Sequence, residues 1–128
     1  MPIEVLLQLV IATLDDLKGQ RLVKLNVRSL SNITDFMIVV TGTSDRHVRV
    51  LAREVALQAK KHGISPLGVE GEQAADWMIV DLGDVIVHIM QAEARQFYDL
   101  ERLWNPALQK ADVPHVDVIG ATPNEPIS

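Results

Sequence analysis

GVEGEQAADWMIVDLGDVIVHIM, residues 68–90, contains much of the structural information in this chain. A glycine-rich acidic turn opens it, and two apolar runs follow at residues 77–82 and 85–90, joined by Gly83-Asp84. A two-residue connection with a leading glycine suits a type II′ turn between antiparallel strands. The sequence therefore predicts a β-hairpin here.

The register of this hairpin sorts its side chains onto two faces. If Leu82 lies opposite Val85, strand alternation puts only apolar residues on one face, which we predict to be core. These are Met78, Val80, Leu82, Val85, Val87 and Ile89. The other face, called the mixed face below, carries Trp77, Ile79, Asp81, Ile86, His88 and Met90. Large apolar groups beside a carboxylate and an imidazole are typical of a surface that other protein partly covers.

The chain before this stretch is predicted to form helices and strands in alternation. Residues 3–18 have apolar residues at helical spacing, and residues 22–27 alternate like a half-buried strand, which we expect at a sheet edge. Residues 36–41 are a continuous run of β-forming residues, typical of a central strand, and residues 67–69 suit a short strand. The predicted fold class is α/β, with about five strands and flanking helices.

A second helix is predicted after residue 44. Ser44 is a good N-cap, and an apolar stripe continues from there until shortly before Gly63. The opposite side of this helix carries Arg46, Arg49 and Arg53. Such a run of charge either forms a solvated face or makes a local contact with RNA phosphates.

The end of the chain differs in composition. Residues 93–104 suit a helix that Asn105-Pro106 would stop. Four of the six prolines lie from Pro106 onward, and hydrophobic periodicity is weak there. We therefore predict one domain over residues 1–106 and a mobile tail over residues 107–128.

Composition excludes several classes of protein. The chain has 128 residues, enough for one core, and no cysteine, so neither disulfides nor thiolate chemistry are available. A net charge of −5 argues against a protein that grips nucleic acid over most of its surface. Glu4, Gln8 and Asp15 interrupt the apolar N-terminal run, which is neither a signal peptide nor a membrane span. We expect a cytoplasmic location.

Two sets of residues suggest catalysis weakly. Asp81 and His88 are predicted to lie diagonally opposite each other on the mixed face. They could act as an acid–base pair, or they could form a buried polar pair without a catalytic role. The segment TGTSDRH, residues 41–47, could hold a phosphate at a helix N-terminus, although a capped helix start explains it equally well. His47 and His62 have no second ligand at the spacing of a metal site. We predict no metal and no cofactor.

Several segments together resemble one family. They are TDFMIVVTGTS (34–44), PLGVEGE (66–72), ADWMIVDLGDVIVHIM (75–90) and ARQFYDLERLW (94–104). This combination is similar to bacterial members of the ribosomal silencing factor family, also called Iojap-like, over residues 5–105. The resemblance implies a nucleotidyltransferase-like fold without transferase activity. In agreement, the D-x-D carboxylate pair of such transferases is missing, because two residues separate Asp81 from Asp84.

The resemblance also implies a partner and a role. Members of this family bind the fourteenth protein of the large ribosomal subunit and block joining of the small subunit, which lowers translation under nutrient limitation. We expect this chain to use its mixed face, with Trp77 and Met90 as apolar anchors. The remaining predicted contacts are Glu70, Glu72, Asp76, Asp81, His88 and Tyr98.

Three further expectations remain open. One alternative is a nucleotide-binding enzyme, and another is an RNA-binding ribosome assembly factor that uses Arg46, Arg49 and Arg53. The mixed face also predicts a homodimer when the protein is free of the ribosome.

Overall fold

A computed structural model of the chain describes residues 1–29, 32–98 and 116–119. Three helices are described: α1 (Ile3–Asp16), α2 (Asp45–Lys61) and α3 (Ala92–Tyr98). Six strands are described: β1 (Gln20–Asn26), β2 (Phe36–Gly42), β3 (Gly68–Glu70), β4 (Trp77–Asp81), β5 (Val85–Gln91) and β6 (Val116–Ile119). No helix in these ranges is long and apolar enough to cross a membrane.

The strands form one mixed sheet in the order β3-β4-β5-β2-β1-β6. Strands β2 and β5 pair in parallel, and all other neighbours are antiparallel. The predicted α/β class with flanking helices is confirmed, and all five predicted strands form. The central position predicted for residues 36–41 is also correct, because β2 lies between β5 and β1.

The sixth strand corrects one prediction. β6 pairs antiparallel with β1, so β1 lies inside the sheet rather than at its edge. Local alternation shows how a strand faces a core, but it does not show which distant segment pairs with it. Four residues of the predicted mobile tail therefore belong to the sheet. The rest of residues 107–128 lies outside the described residues, and the boundary at residue 106 stays a prediction.

The hairpin forms in the predicted register. Trp77 pairs with Met90 and Val80 with Val87, and the amide of Leu82 donates to the carbonyl oxygen of Val85 at 2.9 Å. The connecting Gly83 has a φ of 86°, as a turn of this class requires. All six side chains predicted to face the core are buried, and none is more than 6% exposed.

Helices α1 and α2 cover the core face of the sheet. Their apolar stripes pack on Ile38, Val40 and the apolar side of the hairpin, forming the larger of two hydrophobic clusters. Ser44 caps α2 as predicted, since its Oγ accepts the amide N–H of His47 at 3.0 Å.

The opposite side of the sheet has a smaller cluster. Of the helices that the structure describes, α3 alone packs there, and Ala94 is 7% exposed. Arg95 donates to the hydroxyl of Thr41 at 2.9 Å, which joins α3 to β2. The helix predicted over residues 93–104 begins close to the expected position, and its part beyond Tyr98 lies outside the described residues.

Candidate functional site

The mixed face is an ordered set of rows across four strands. Strand pairing places Glu70, Ile79, His88 and Val39 in one row. The next row contains Gly68, Asp81, Ile86 and Met37. Trp77 and Met90 lie in a third row, at the end of the sheet where α3 packs.

Burial divides this face into a covered end and an open middle. Helix α3 covers the end that contains Met90, whereas Met37, Ile79 and Ile86 in the other two rows are only half-buried. Trp77 is also half-buried and packs against the edge of the smaller cluster. The open part is therefore an apolar strip with a tryptophan at one end.

Met90 is not an anchor for a partner. Its side chain is 0% exposed and packs with Val39 and Ala94 beneath α3. The prediction was wrong because strand alternation assigns a side chain to a face, while the position of a helix over that face depends on tertiary packing. Met37 occupies the open strip instead, and sequence reasoning did not select it.

His88 pairs with Trp77 rather than with Asp81. The indole N–H of Trp77 donates to His88 Nδ1 at 3.0 Å, and the two rings lie 5.9 Å apart between centroids. Burial lowers the pKa of His88 from 6.5 to about 4, so its ring is neutral at pH 7. With Nδ1 accepting, the proton lies on Nε2, which has no hydrogen-bond partner among the described residues.

Asp81 has a different, local task. Its Oδ1 accepts the amide N–H of Gly83 at 2.9 Å and so helps to close the hairpin turn. Short carboxylates commonly bond to the backbone two residues further on. The predicted pair with His88 was wrong, and the acid–base pair of the enzyme alternative does not form.

Acidic side chains border the open strip. Glu70 follows Ile79 in its row and is exposed, as are Glu72 and Asp76 in the connection between β3 and β4. Asp81 is half-buried at its turn. Tyr98 closes α3, and the position of its side chain lies outside the described part of the chain.

The acidic connection is held from two sides. Arg49 of α2 donates to the carbonyl oxygens of Glu72 and Gln73 at 3.0 and 2.9 Å. From β5, the side chain of Gln91 donates to the carbonyl oxygen of Ala75 at 3.1 Å. The sequence did not predict this clamp, because its partners are 16 to 24 residues apart and no local sequence pattern indicates that they are in contact.

The clamp changes the interpretation of the basic side of α2. The guanidinium of Arg49, which was predicted to contact RNA, instead donates hydrogen bonds to the acidic connection and to Asp45. Arg53 makes an exposed ion pair with Glu72 at 3.2 Å, and Arg46 is exposed. Two of the three arginines therefore face solvent.

The start of α2 offers few donors to a phosphate. The amide of Thr43 donates to His47 Nδ1 at 2.9 Å, and the amide of Arg46 donates to Asp45 Oδ1 at 2.8 Å. Ser44 occupies the amide of His47. Protein groups already satisfy these N–H groups, which favours a capped helix start. Among the described residues, no group of three or more His, Asp or Glu is placed to hold a metal ion.

Comparison with known proteins now identifies the family. A family model described as ribosomal silencing factor during starvation matches residues 2–126. The chain belongs to the ribosomal silencing factor family. The match runs past residue 106, where the sequence predicts the domain to end.

Relatives and solved structures agree with this assignment. The chain is 50% identical over 99 residues to a ribosomal silencing factor of Haemophilus influenzae, covering 77% of this chain and 97% of the relative. A crystal structure of a Chromobacterium violaceum protein is similar with a TM-score of 0.80 and 38% identity, covering 88% of this chain and 92% of that one. A mouse protein named mitochondrial assembly of ribosomal large subunit protein 1 is 36% identical over 74 residues, covering 56% of this chain and 32% of its own. The predicted family and its fold are confirmed.

Proposed function

We propose that this chain silences translation by binding the large ribosomal subunit through its fourteenth protein and blocking the small subunit sterically. In this role it acts in the cytoplasm, lowers translation under nutrient limitation and needs neither catalysis nor a cofactor. The observation that carries the proposal is the family match over residues 2–126. The mixed face is the surface we assign to the contact.

The chemistry of this face supports a basic protein partner. A half-buried tryptophan beside an apolar strip offers a desolvated centre, the usual place of strong binding energy in interfaces. Exposed Glu70 and Asp76 would pair with lysine or arginine of the partner, whereas Glu72 is already in an ion pair with Arg53 of α2. The clamp by Arg49 holds the backbone of the acidic connection, which lowers the ordering cost of binding.

We revise the set of proposed contact residues in one respect. We keep Trp77 as the main anchor and propose half-buried Ile79, Ile86 and Met37 in place of the buried Met90. Asp81 contributes less than predicted, because one of its carboxylate oxygens is engaged by the turn.

Cosedimentation with purified large subunits tests the proposal. We expect Trp77→Ala to weaken binding by about 2 kcal/mol, roughly thirtyfold, as loss of a central anchor does. Asp76→Lys should also weaken binding, and the effect should be larger at low salt. The matched control is Asp16→Lys, which makes the same charge change at an exposed position on α1, across the sheet.

The possible results test the binding surface and the proposed role in translation separately. Undiminished binding by folded Trp77→Ala and Asp76→Lys would exclude the mixed face. Equal losses for Asp76→Lys and Asp16→Lys would indicate a general charge effect instead of a local contact. For the role itself, sucrose gradients should show the protein travelling with large subunits and fewer joined ribosomes.

Assembly of the large subunit is a second candidate role. The name of the mouse relative, mitochondrial assembly of ribosomal large subunit protein 1, favours it. Exposed Arg46 and Arg53 would then contact ribosomal RNA, with an affinity that falls steeply as salt rises. Measuring binding to naked ribosomal RNA across a salt series distinguishes this role, since Arg46→Gln should reduce the slope and leave binding to the fourteenth protein unchanged.

The enzyme alternative has a separate test. Calorimetric titration with nucleoside triphosphates and magnesium should give no heat of binding under our proposal. Binding heat that Ser44→Ala abolishes would favour a nucleotide site at the start of α2.

We also propose that the free protein forms a homodimer through the apolar strip. Met37, Ile79 and Ile86 are half-buried in the single chain and would gain burial in a dimer. Sedimentation at hundreds of micromolar should show a dimer that Ile86→Lys converts to a monomer. A monomeric profile for the unchanged protein would contradict this.

A further inference from the structure

We infer that His88 is a positioning residue that orients the indole of Trp77 for docking. The inference rests on the proposed function, since it assigns Trp77 a role in partner binding. It concerns a residue that is itself 5% exposed and so does not form the surface.

The imidazole at position 88 calls for an explanation. Its row contains Ile79 on β4 and Val39 on β2, so an apolar side chain would suit the site. The structure instead places a ring there whose Nε2 is buried without a partner among the described residues. A buried polar atom without a hydrogen bond is destabilising, and natural chains keep such groups where they serve another purpose.

The hydrogen bond to Trp77 supplies that purpose. His88 Nδ1 accepts the indole N–H at 3.0 Å, which fixes the neutral ring in the tautomer protonated at Nε2. The two residues lie diagonally on antiparallel strands, a separation that ring side chains can bridge. The bond selects one orientation for the indole beside the open strip.

The orientation of the indole matters because Trp77 is the main anchor in the proposed contact. It opens β4 directly after the acidic connection and is half-buried at the margin of the smaller cluster. A tryptophan that must first be ordered by its partner loses affinity through that ordering cost. Holding the indole in the free protein removes the cost in advance.

Three variants test this, with the chain otherwise intact. His88→Leu removes the acceptor while keeping an apolar side chain, and His88→Asn keeps an acceptor oxygen at the position of Nδ1. Trp77→Phe removes the donor. We expect His88→Leu to weaken binding to large subunits by about tenfold, His88→Asn to restore most of the loss, and His88→Leu to add little in the Trp77→Phe background.

Nitrogen NMR of the unchanged protein tests the hydrogen bond itself, without depending on whether a variant folds. The imidazole signals should report Nδ1 without a proton and Nε2 with one, and the indole signal that disappears in Trp77→Phe should shift in His88→Leu. A ring protonated at Nδ1 would overturn the inference whether or not any variant folds. Unchanged affinity of folded His88→Leu would also overturn it, and the proposed function would stand if Trp77→Ala still weakens binding.

Discussion

Gly71 tests how rigidly the acidic connection is built. It has a φ of 91°, and a Cβ on its backbone would overlap the carbonyl oxygen of Trp77 and lie 3.2 Å from the Cα of Met78. Gly71→Ala therefore has two costs. A positive φ costs an L residue about 1–2 kcal/mol, and relieving an overlap with rigid backbone costs about 1–3 kcal/mol more.

Gly63→Ala is the matched control for the first cost alone. Gly63 has a similar φ of 86°, but a Cβ there meets nothing within 4 Å. Its replacement should cost about 1 kcal/mol or less, because the reduced entropy of the unfolded chain offsets part of the strain. We expect Gly71→Ala to lower the free energy of unfolding by about 3 kcal/mol, roughly 2 kcal/mol more than the control.

Urea denaturation followed by circular dichroism measures both variants. The slopes against urea should stay equal, so that the midpoints report stability directly. Equal losses of unfolding free energy in the two variants would refute the reasoning, because the backbone at residues 71–77 would then relax around the added Cβ without an energetic penalty. A large loss for Gly63→Ala would show that φ strain alone explains the effect.

The remaining predictions concern a cap, a clamp and a titration. Ser44→Ala should lower the unfolding free energy by about 1 kcal/mol, measured by thermal or urea denaturation, through loss of the N-cap bond. Arg49→Gln should lower the free energy of unfolding by about 1–2 kcal/mol and speed amide exchange at residues 72–76, because the clamp is lost. The control Arg53→Gln removes an exposed ion pair and should lower it by well under 1 kcal/mol. Equal exchange rates in the two variants would contradict the clamp. Burial lowers the pKa of His88 to about 4, so the unfolded chain takes up its proton first as pH falls below 6.5. The contribution of neutral His88 to the free energy of unfolding is therefore complete above pH 6.5. It should decline toward pH 4 by an amount on the order of 3 kcal/mol at most. Unfolding measured at several pH values should show this decline in the unchanged protein and not in His88→Leu.

The local elements and the two faces of the hairpin could be predicted from the sequence alone. Strand alternation is a property of the backbone, so the register at Leu82 and Val85 assigned all six core side chains correctly. The cap at Ser44 could also be predicted, because an N-cap side chain bonds to an amide only two or three residues further along the chain. The motifs around the hairpin also sufficed to name the family.

Which elements cover each face, and which distant groups come into contact, depended on tertiary packing. The packing of α3 buried Met90, and the pairing of β6 moved β1 away from the edge. Similarly, the hydrogen bond between Trp77 and His88 joins two different strands. Contacts of this kind depend on packing between segments far apart in the chain, where local propensity carries no information.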